Sequence, residues 1–473
     1  MTQSSSAPHA APVILWLRQD LRLSDQAALV ATVDSGHPVL PVYVLDDAGA
    51  GDYAVTGAGR WWLHHSLSAF DASLRAKGSR LILRKGNSAD VLAQLAAETG
   101  AVAVHATRHY EPWHKAAEQA VAARLKLHMH EGAVLYPPAL VRSKTDSRYR
   151  MFTPWWKALL QHMPPPKPLA APQAIPAPTL WPSNDALDDW SLLPRNPDWA
   201  ASFGEYWQPG EEAAKQRLRD FLPHIDAYNE DRNFPGKAMG VSRLSPHLHF
   251  GEISPALIWH VAAREAGEGA APYLREVGWR DFGINMIDQS PDYGWVDGRA
   301  ARGAFPWRRP DQDEAAARDL KAWQRGMTGY PIIDAGMREL WATGYVHNRI
   351  RMLVASFLVK HLLIDWRCGE RWFWDKLVDA DYGNNSVGWQ WIAGTGFESN
   401  PFGRIMAPLG QSEKFDCGAY IRLWVPELAD LRDPYIHDPE EFGVRPKAYP
   451  RKIIGHMAAR TRAMAASSQL QKN

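Results

Sequence analysis

The feature that most constrains this chain is a change of hydrophobic period partway along it. From Pro12 to about Leu135, short apolar runs alternate with amphipathic stretches. Val13–Leu17, Val39–Leu45, Arg80–Leu83 and Ala101–His105 read as buried strands. Gln26–Val33, Arg60–Lys77, Ala89–Glu98 and His114–Leu125 have helical spacing. Alternation of this kind predicts a parallel sheet with both faces covered by helices. From Glu211 the texture becomes helical: Ala213–Phe221, Pro255–Glu265, Glu314–Arg325, Ile333–Thr343 and His347–Leu363, with few strands. Between the two lies PPPKPLAAPQAIPAPTLWP, residues 164–182, whose proline content reads as a long semi-rigid connector. The expected domains are thus 12–135 (α/β), 136–210 (linker) and 211–473 (all-α).

At 473 residues, two or more domains are expected. Formal charge is only +1, so nucleic-acid binding requires a local basic patch. Two cysteines, Cys368 and Cys417, exclude a disulfide framework and a four-thiolate iron–sulfur cluster. No metal site is expected. The Ser/Ala/Pro-rich start, Met1–Pro12, reads as a loose tail, and no apolar run is long enough to span a membrane. A cytoplasmic monomer is the expectation. The Gly-rich dinucleotide loop is missing after the first strand.

Three segments carry chemistry. In YLREVGWRDF, Glu276, Trp279 and Arg280 share a helical face. A carboxylate, an indole and a guanidinium so placed can bond a base, stack on it and contact phosphate; a salt-bridged helix with a core tryptophan is the plainer reading. In GYVHNRIRMLVASFLVKHLLIDW, Asn348 and Met352 share a face, and Arg349 and Arg351 lead into a buried helix where polar groups need partners. DADYGNNSVGWQW, residues 379–391, is too polar for a core and too irregular for a helix, and is expected to be a site-lining loop.

These segments resemble the flavin domain of the photolyase/cryptochrome family. So do RLSPHLHFGEIS (243–254), GMTGYPIIDAGMREL (326–340) and ILWLRQDLRLSDQAAL (14–29), all in family order from Pro12 to about Tyr449. The resemblance implies a Rossmann-like N-terminal antenna domain and a helical FAD domain. It assigns FAD contacts to Tyr228, Val241, Ser242, Arg243, Leu244, Ser245, Tyr273, Arg280, Arg351, Asp379, Asp381 and Asn385, with Asn385 facing flavin N5. Glu276, Trp279, Asn348, Arg349, Met352 and Trp391 match its substrate pocket, and Arg232 and Lys414 its phosphate contacts. Trp389, Trp366 and Trp307 match a relay carrying electrons to the photoexcited flavin, although each ring singly reads as core.

An antenna pigment is implied as well. Methenyltetrahydrofolate is expected, because Glu111 stands where relatives place a folate-contacting acid; 8-hydroxydeazaflavin is the alternative. Val241 replaces a threonine common in relatives, and residues 283–295 and 396–406 depart from the usual text. The implied activity is light-driven repair of cyclobutane pyrimidine dimers in DNA. Enzymes for (6-4) photoproducts carry histidines in the helix where this chain reads Asn-Arg-x-Arg-Met. The rival is a cryptochrome, a blue-light signalling protein usually bearing a long C-terminal extension, which is not expected here.

Overall fold

The computed structural model describes residues 11–299, 305–397 and 405–470. The N-terminal tail up to residue 10 and most of the divergent stretch 396–406 lie outside the described residues.

Five parallel strands form one sheet: β1 (Val13–Leu17), β2 (Val39–Leu45), β3 (Ile82–Lys85), β4 (Val104–Thr107) and β5 (Leu127–His130), in the order β3-β2-β1-β4-β5. Every residue of β1 and β2 is buried, as unbroken apolar runs require. Alternate residues serve opposite faces. Leu15 and Leu17 pack with Trp62 and Leu67, while Ile14 and Trp16 pack with Leu92 and Val121. The covering helices are α1 (Ala27–Asp34), α2 (Gly57–Arg75), α3 (Ser88–Thr99) and α4 (Pro112–Ala122). β3 and β4 sit two to three residues later than the apolar runs suggest, and β5, with its histidines, gave no strand signal.

Residues 136–210, expected as a linker, contribute side chains to both cores. The helix α5 (Phe152–Leu159) puts Phe152, Trp155 and Leu159 into the helical domain's core. Trp190, Leu192, Phe203 and Trp207 join the sheet domain's core. The proline-rich stretch runs along the sheet domain: Ile175 N donates to Lys77 O at 2.9 Å, and Val39 N to Pro176 O at 2.8 Å.

The helical domain contains α6 (Glu211–Phe221), α7 (Pro255–Ala266), α8 (Ala271–Gln289), α9 (Glu314–Gln324), α10 (Pro331–Thr343), α11 (Asn348–Ser356), α12 (Trp366–Lys376), α13 (Tyr382–Ala393) and α14 (His456–Leu470). The run expected as one helix over 347–363 is α11 followed by a π turn, Phe357–His361. Its core includes Trp323, Trp366, Phe282 and Phe357, and each such buried side chain adds about 2 kcal/mol. Among the described residues no helix is long and apolar enough to cross a membrane.

The segment expected as an irregular loop is α13. Asp381 is its N-cap, accepting from Asn384 N at 2.8 Å. Asn384, Asn385 and Gln390 are paired rather than solvated, and a glycine allows close packing. Gly383 lies against the backbone of Gly283 on α8, where an added Cβ would come within 2.8 Å of Gly283 C and O.

Candidate functional site

α11 begins where His347 caps it: the imidazole Nδ1 accepts from Arg349 N at 3.1 Å. That cap fixes Arg349 and Arg351 in the first turn. Arg351 Nη2 reaches both oxygens of Asp379, at 3.0 and 2.8 Å, and its Nε donates to Val346 O at 2.7 Å. Ser245 Oγ donates to the same carboxylate at 2.5 Å. Arg243 holds a left-handed φ of 52° and lays its guanidinium over Tyr345, 5.5 Å from the ring centre. Arg351 lies over the same ring at 5.0 Å.

His347 reports the field these groups create. Burial pushes its pKa down, and Arg243, Arg351, Arg349 and Arg232 push it further, to about 3. Arg243 and Arg351 share the Tyr345 ring beside it, and the charges of Arg349 and Arg232 are felt there too. Asp379 pairs with Arg351, and Glu276 with Arg232. Such a concentration of cations suits a polyanion: a diphosphate or nucleic-acid phosphates.

α13 supplies the facing wall. Burial disfavours the charge of Asp381, but His249, Arg280 and the Asn384 N–H outweigh it and hold its pKa at about 2. His249 Nδ1 is 3.9 Å from Asp381 Oδ2, beyond hydrogen-bond distance. Asn385 spends its side-chain N–H groups on Glu370, donating to its backbone O at 3.1 Å and its Oε1 at 2.9 Å. Glu370 carried no signal in the sequence; its carboxyl is fully buried and pushed up to about 7 by that burial. Tyr228 and Tyr273 pack edge to face at 5.3 Å, and Tyr273 donates to Ser242 Oγ at 3.1 Å. Leu244 is buried in the core, with Val241 packed against it. Several buried polar atoms here, among them Arg243 Nε, Ser386 Oγ and His347 Nε2, have no partner among the described residues. Together with the Asp379–Arg351 cradle they fit a cofactor bearing a diphosphate and a polar ring.

A second group lies along α8. Glu276 and Trp279 line a 610 Å³ groove with Arg232, Arg275, Trp156 and Trp259. Arg232, expected on phosphate, pairs with Glu276 at 2.5 Å, so the two are brought together rather than apart. Trp279 stacks on Phe152, ring centres 3.6 Å apart. Asn348 and Lys414 are exposed, Met352 is half-buried, and Trp391 is 42% exposed. Arg349 and Lys414 both lie over Phe415, at 4.4 and 5.3 Å.

Arg280 takes a different direction from its neighbours. It donates to Ala133 O at 2.7 Å and to Asp281 at 2.8 Å, closing the seam between the domains. With Asp381, His249 and Glu111 it surrounds a cavity of about 10 Å³, room for one water molecule. Glu111 is 5% exposed, with Tyr110 N donating to it at 3.1 Å. It lines this one-water cavity rather than the larger groove beside it. Beside it, a 530 Å³ groove between the domains is ringed by Tyr53, Trp113 and Trp295, with Arg371 and Asp52.

The three relay tryptophans differ in setting. Trp389 is buried against Phe373 at 5.0 Å, and an added Cβ at Gly369 would lie 2.1 Å from its Cη2. That glycine, one turn after Trp366 on α12, lets the Trp389 indole lie directly on the helix bearing the middle ring. Trp366 is fully buried and donates from Nε1 to Asp297 Oδ1 at 2.9 Å. Trp307 is half-buried on Phe305, 4.1 Å between ring centres.

Comparison with known proteins agrees with this architecture. Residues 273–469 match the FAD binding domain of DNA photolyase, and residues 13–176 match the DNA photolyase family. The chain is 44% identical to a deoxyribodipyrimidine photo-lyase of Agrobacterium fabrum, covering 98% of both chains. It is 33% identical to cryptochrome-1 of Arabidopsis thaliana, over 97% of this chain and 70% of that one. A class III photolyase structure from Agrobacterium tumefaciens superposes with a TM-score of 0.92 at 43% identity, covering 100% of both chains. The fold and site define a two-domain flavoprotein. The chain belongs to the DNA photolyase family, in agreement with its sequence motifs.

Proposed function

We propose that the chain binds FAD and, under light, splits cyclobutane pyrimidine dimers in DNA. One observation carries the reading: α11 serves two sites at once. One side of its first turn holds the Arg351–Asp379 pair; Asn348 and Met352 share another face and are open to a ligand. A cofactor and a lesion would thus meet across a single helix turn.

When bound, reduced FAD would supply the light-driven one-electron chemistry that opens the dimer. The rest is the work of the chain. Arg243, Arg351 and the Asp379 carboxylate hold the anionic and polar parts of the cofactor. Asn385, its N–H groups committed to Glu370, presents an oxygen to the ring. Glu276 offers its carboxylate to the N–H groups of an incoming base once Arg232 moves to phosphate, and Trp279 closes the groove. Nucleic-acid phosphates contacted by Arg232, Arg349 and Lys414 make affinity fall with salt.

The histidines favour cyclobutane dimers over (6-4) lesions. A (6-4) repair needs an imidazole that can give a proton. His347 is buried, committed as a cap and depressed to about 3. His247 is fully buried against Glu252 at 2.5 Å, and His249 is buried beside Asp381. For the antenna pigment, the groove at Tyr53, Trp113 and Trp295 supports a flat aromatic ligand such as a folate, in place of a contact from Glu111.

The test is to irradiate chemically reduced protein with each lesion in turn and to separate the products. Loss of the dimer with the (6-4) lesion unchanged is expected. Flavin photochemistry with neither lesion repaired would move the chain to the signalling side of the family.

A further inference from the structure

Among the described residues, Trp366 is the one relay ring whose N–H meets a carboxylate. Its Nε1 donates to Asp297 Oδ1 at 2.9 Å, and the Asp297 side chain is 6% exposed. Asp297 sits just beyond the divergent segment 283–295. Its loop is clamped by Gln390, the neighbour of Trp389: Gln390 Nε2 donates to Tyr293 O at 2.6 Å and Val296 O at 2.9 Å, while Gly298 N donates to its Oε1 at 2.8 Å. The buried Gln390 thus fixes the acid relative to the helix that carries the first ring.

A second charge lies on the face of Trp366. The Arg367 guanidinium is 4.6 Å from the ring centre, pairs with Asp297 at 3.2 Å and with Asp365 at 3.1 Å. Against a neutral indole this cation is attracted to the ring face. Against an indole that has lost an electron it is repelled, and the buried setting strengthens the repulsion. Loss of the Nε1 proton removes the ring's charge. An oxygen at 2.9 Å is within reach to take it.

We infer that Asp297 is the proton acceptor for oxidised Trp366, which makes the middle ring a hole trap. The inference rests on the relay reading. One electron leaves Trp366 for oxidised Trp389, which has itself given one to light-excited oxidised flavin. The Nε1–H bond of Trp366 then breaks, its electron pair staying on nitrogen, and the proton forms an O–H bond on Asp297. The products are a neutral indolyl radical and a neutral carboxylic acid, with Arg367 still paired to Asp365. Return of an electron to Trp366, whether by charge recombination or from Trp307, now requires return of the proton, so recombination slows and the hole is held at the middle ring.

The experiment uses the FAD-loaded protein in a Trp307→Phe background, which confines the hole to the inner rings. Flash spectroscopy separates the indole cation from its neutral radical by their bands. With Asp297 present, the cation should convert to the neutral radical with a solvent deuterium isotope effect. Asp297→Asn keeps the size and the accepting oxygen; there the conversion should slow at least several-fold and recombination should win, and Asp297→Glu should restore part of it. In the dark, the Trp366 indole N–H resonance, assigned with Trp366→Phe, should shift upfield in Asp297→Asn. Unchanged conversion and isotope effect in Asp297→Asn would overturn the assignment while leaving the relay intact. Unchanged photoreduction in Trp366→Phe alone would overturn the relay, and the assignment with it.

Discussion

Two regions of this molecule look equally suited to a ligand, and only one is available. In a parallel sheet the usual binding crevice lies at the carboxyl ends of the strands where their order reverses, here between β1 and β4. In this chain the protein fills it. Arg18 pairs with Glu118 at 2.7 Å and also donates to Thr107 O; Asp20 accepts from Arg18 N at 2.7 Å and from Gln26 at 2.6 Å; Thr107 donates to Gln26 at 3.0 Å. The helical domain does the opposite. It brings the charges of four arginines to bear on His347, pairs Arg351 and Arg232 with carboxylates, and leaves Arg243 Nε and Ser386 Oγ without a partner among the described residues. The site is marked by its clustered arginines and their carboxylate partners, not by sheet topology or by unsatisfied groups alone, since the crevice too leaves Arg18 Nε and His109 Nε2 without a partner among the described residues.

The strongest way to break this comparison is Arg351→Met. It strands Asp379, whose side chain is 2% exposed, and an uncompensated buried charge costs about 3–5 kcal/mol. Both thermal stability and retained FAD should fall sharply, as read by melting and by flavin absorbance after desalting. Full flavin retention would show that the pair is structural only.

Glu118→Gln is the matched perturbation in the filled crevice. It leaves Arg18, 5% exposed, without its counter-charge and should cost about 3 kcal/mol in urea unfolding. Flavin content and photoreduction should not change. Flavin loss comparable to that of Arg351→Met would mean the crevice and the flavin site are one unit.

The smallest effect sharpens where the N-terminal domain does take a ligand. Trp113→Ala removes a ring stacked 5.7 Å from Tyr53 and should cost about 1 kcal/mol of stability. The absorption of the second chromophore should disappear while the flavin bands stay. A second chromophore retained at full strength would place it elsewhere than the groove of Tyr53, Trp113 and Trp295.

Much of this was legible in the residue order. The apolar runs of β1 and β2 and the amphipathic stretches of α1 to α4 give their elements from periodicity alone, because a core-facing side chain must be apolar wherever it falls. The Asp-x-x-Asn start of α13 was a helix-cap signal, masked by the polarity of the residues after it. Polarity argues for a loop only while its partners are unknown; here Asn385 has Glu370, Gln390 has the 293–298 loop, and Gly383 has Gly283. Arg232 and Arg280 show the same limit. Their types said cation, and their directions, toward Glu276 and Ala133, came from neighbours far away in the chain.

The sequence by itself determined the two-domain class, the ordered family motifs and the chemical types at the site. Those depend on local period, capping and identity, which short stretches of chain contain. Only the tertiary structure decided that Glu111 lines a one-water cavity, that residues 136–210 contribute side chains to both cores, and that Asp297 receives the Trp366 N–H. Burial and partner choice are properties of pairs distant in sequence: 69 positions separate Asp297 from Trp366. No window along the chain contains both members, so the chemistry between them exists only once the chain has folded.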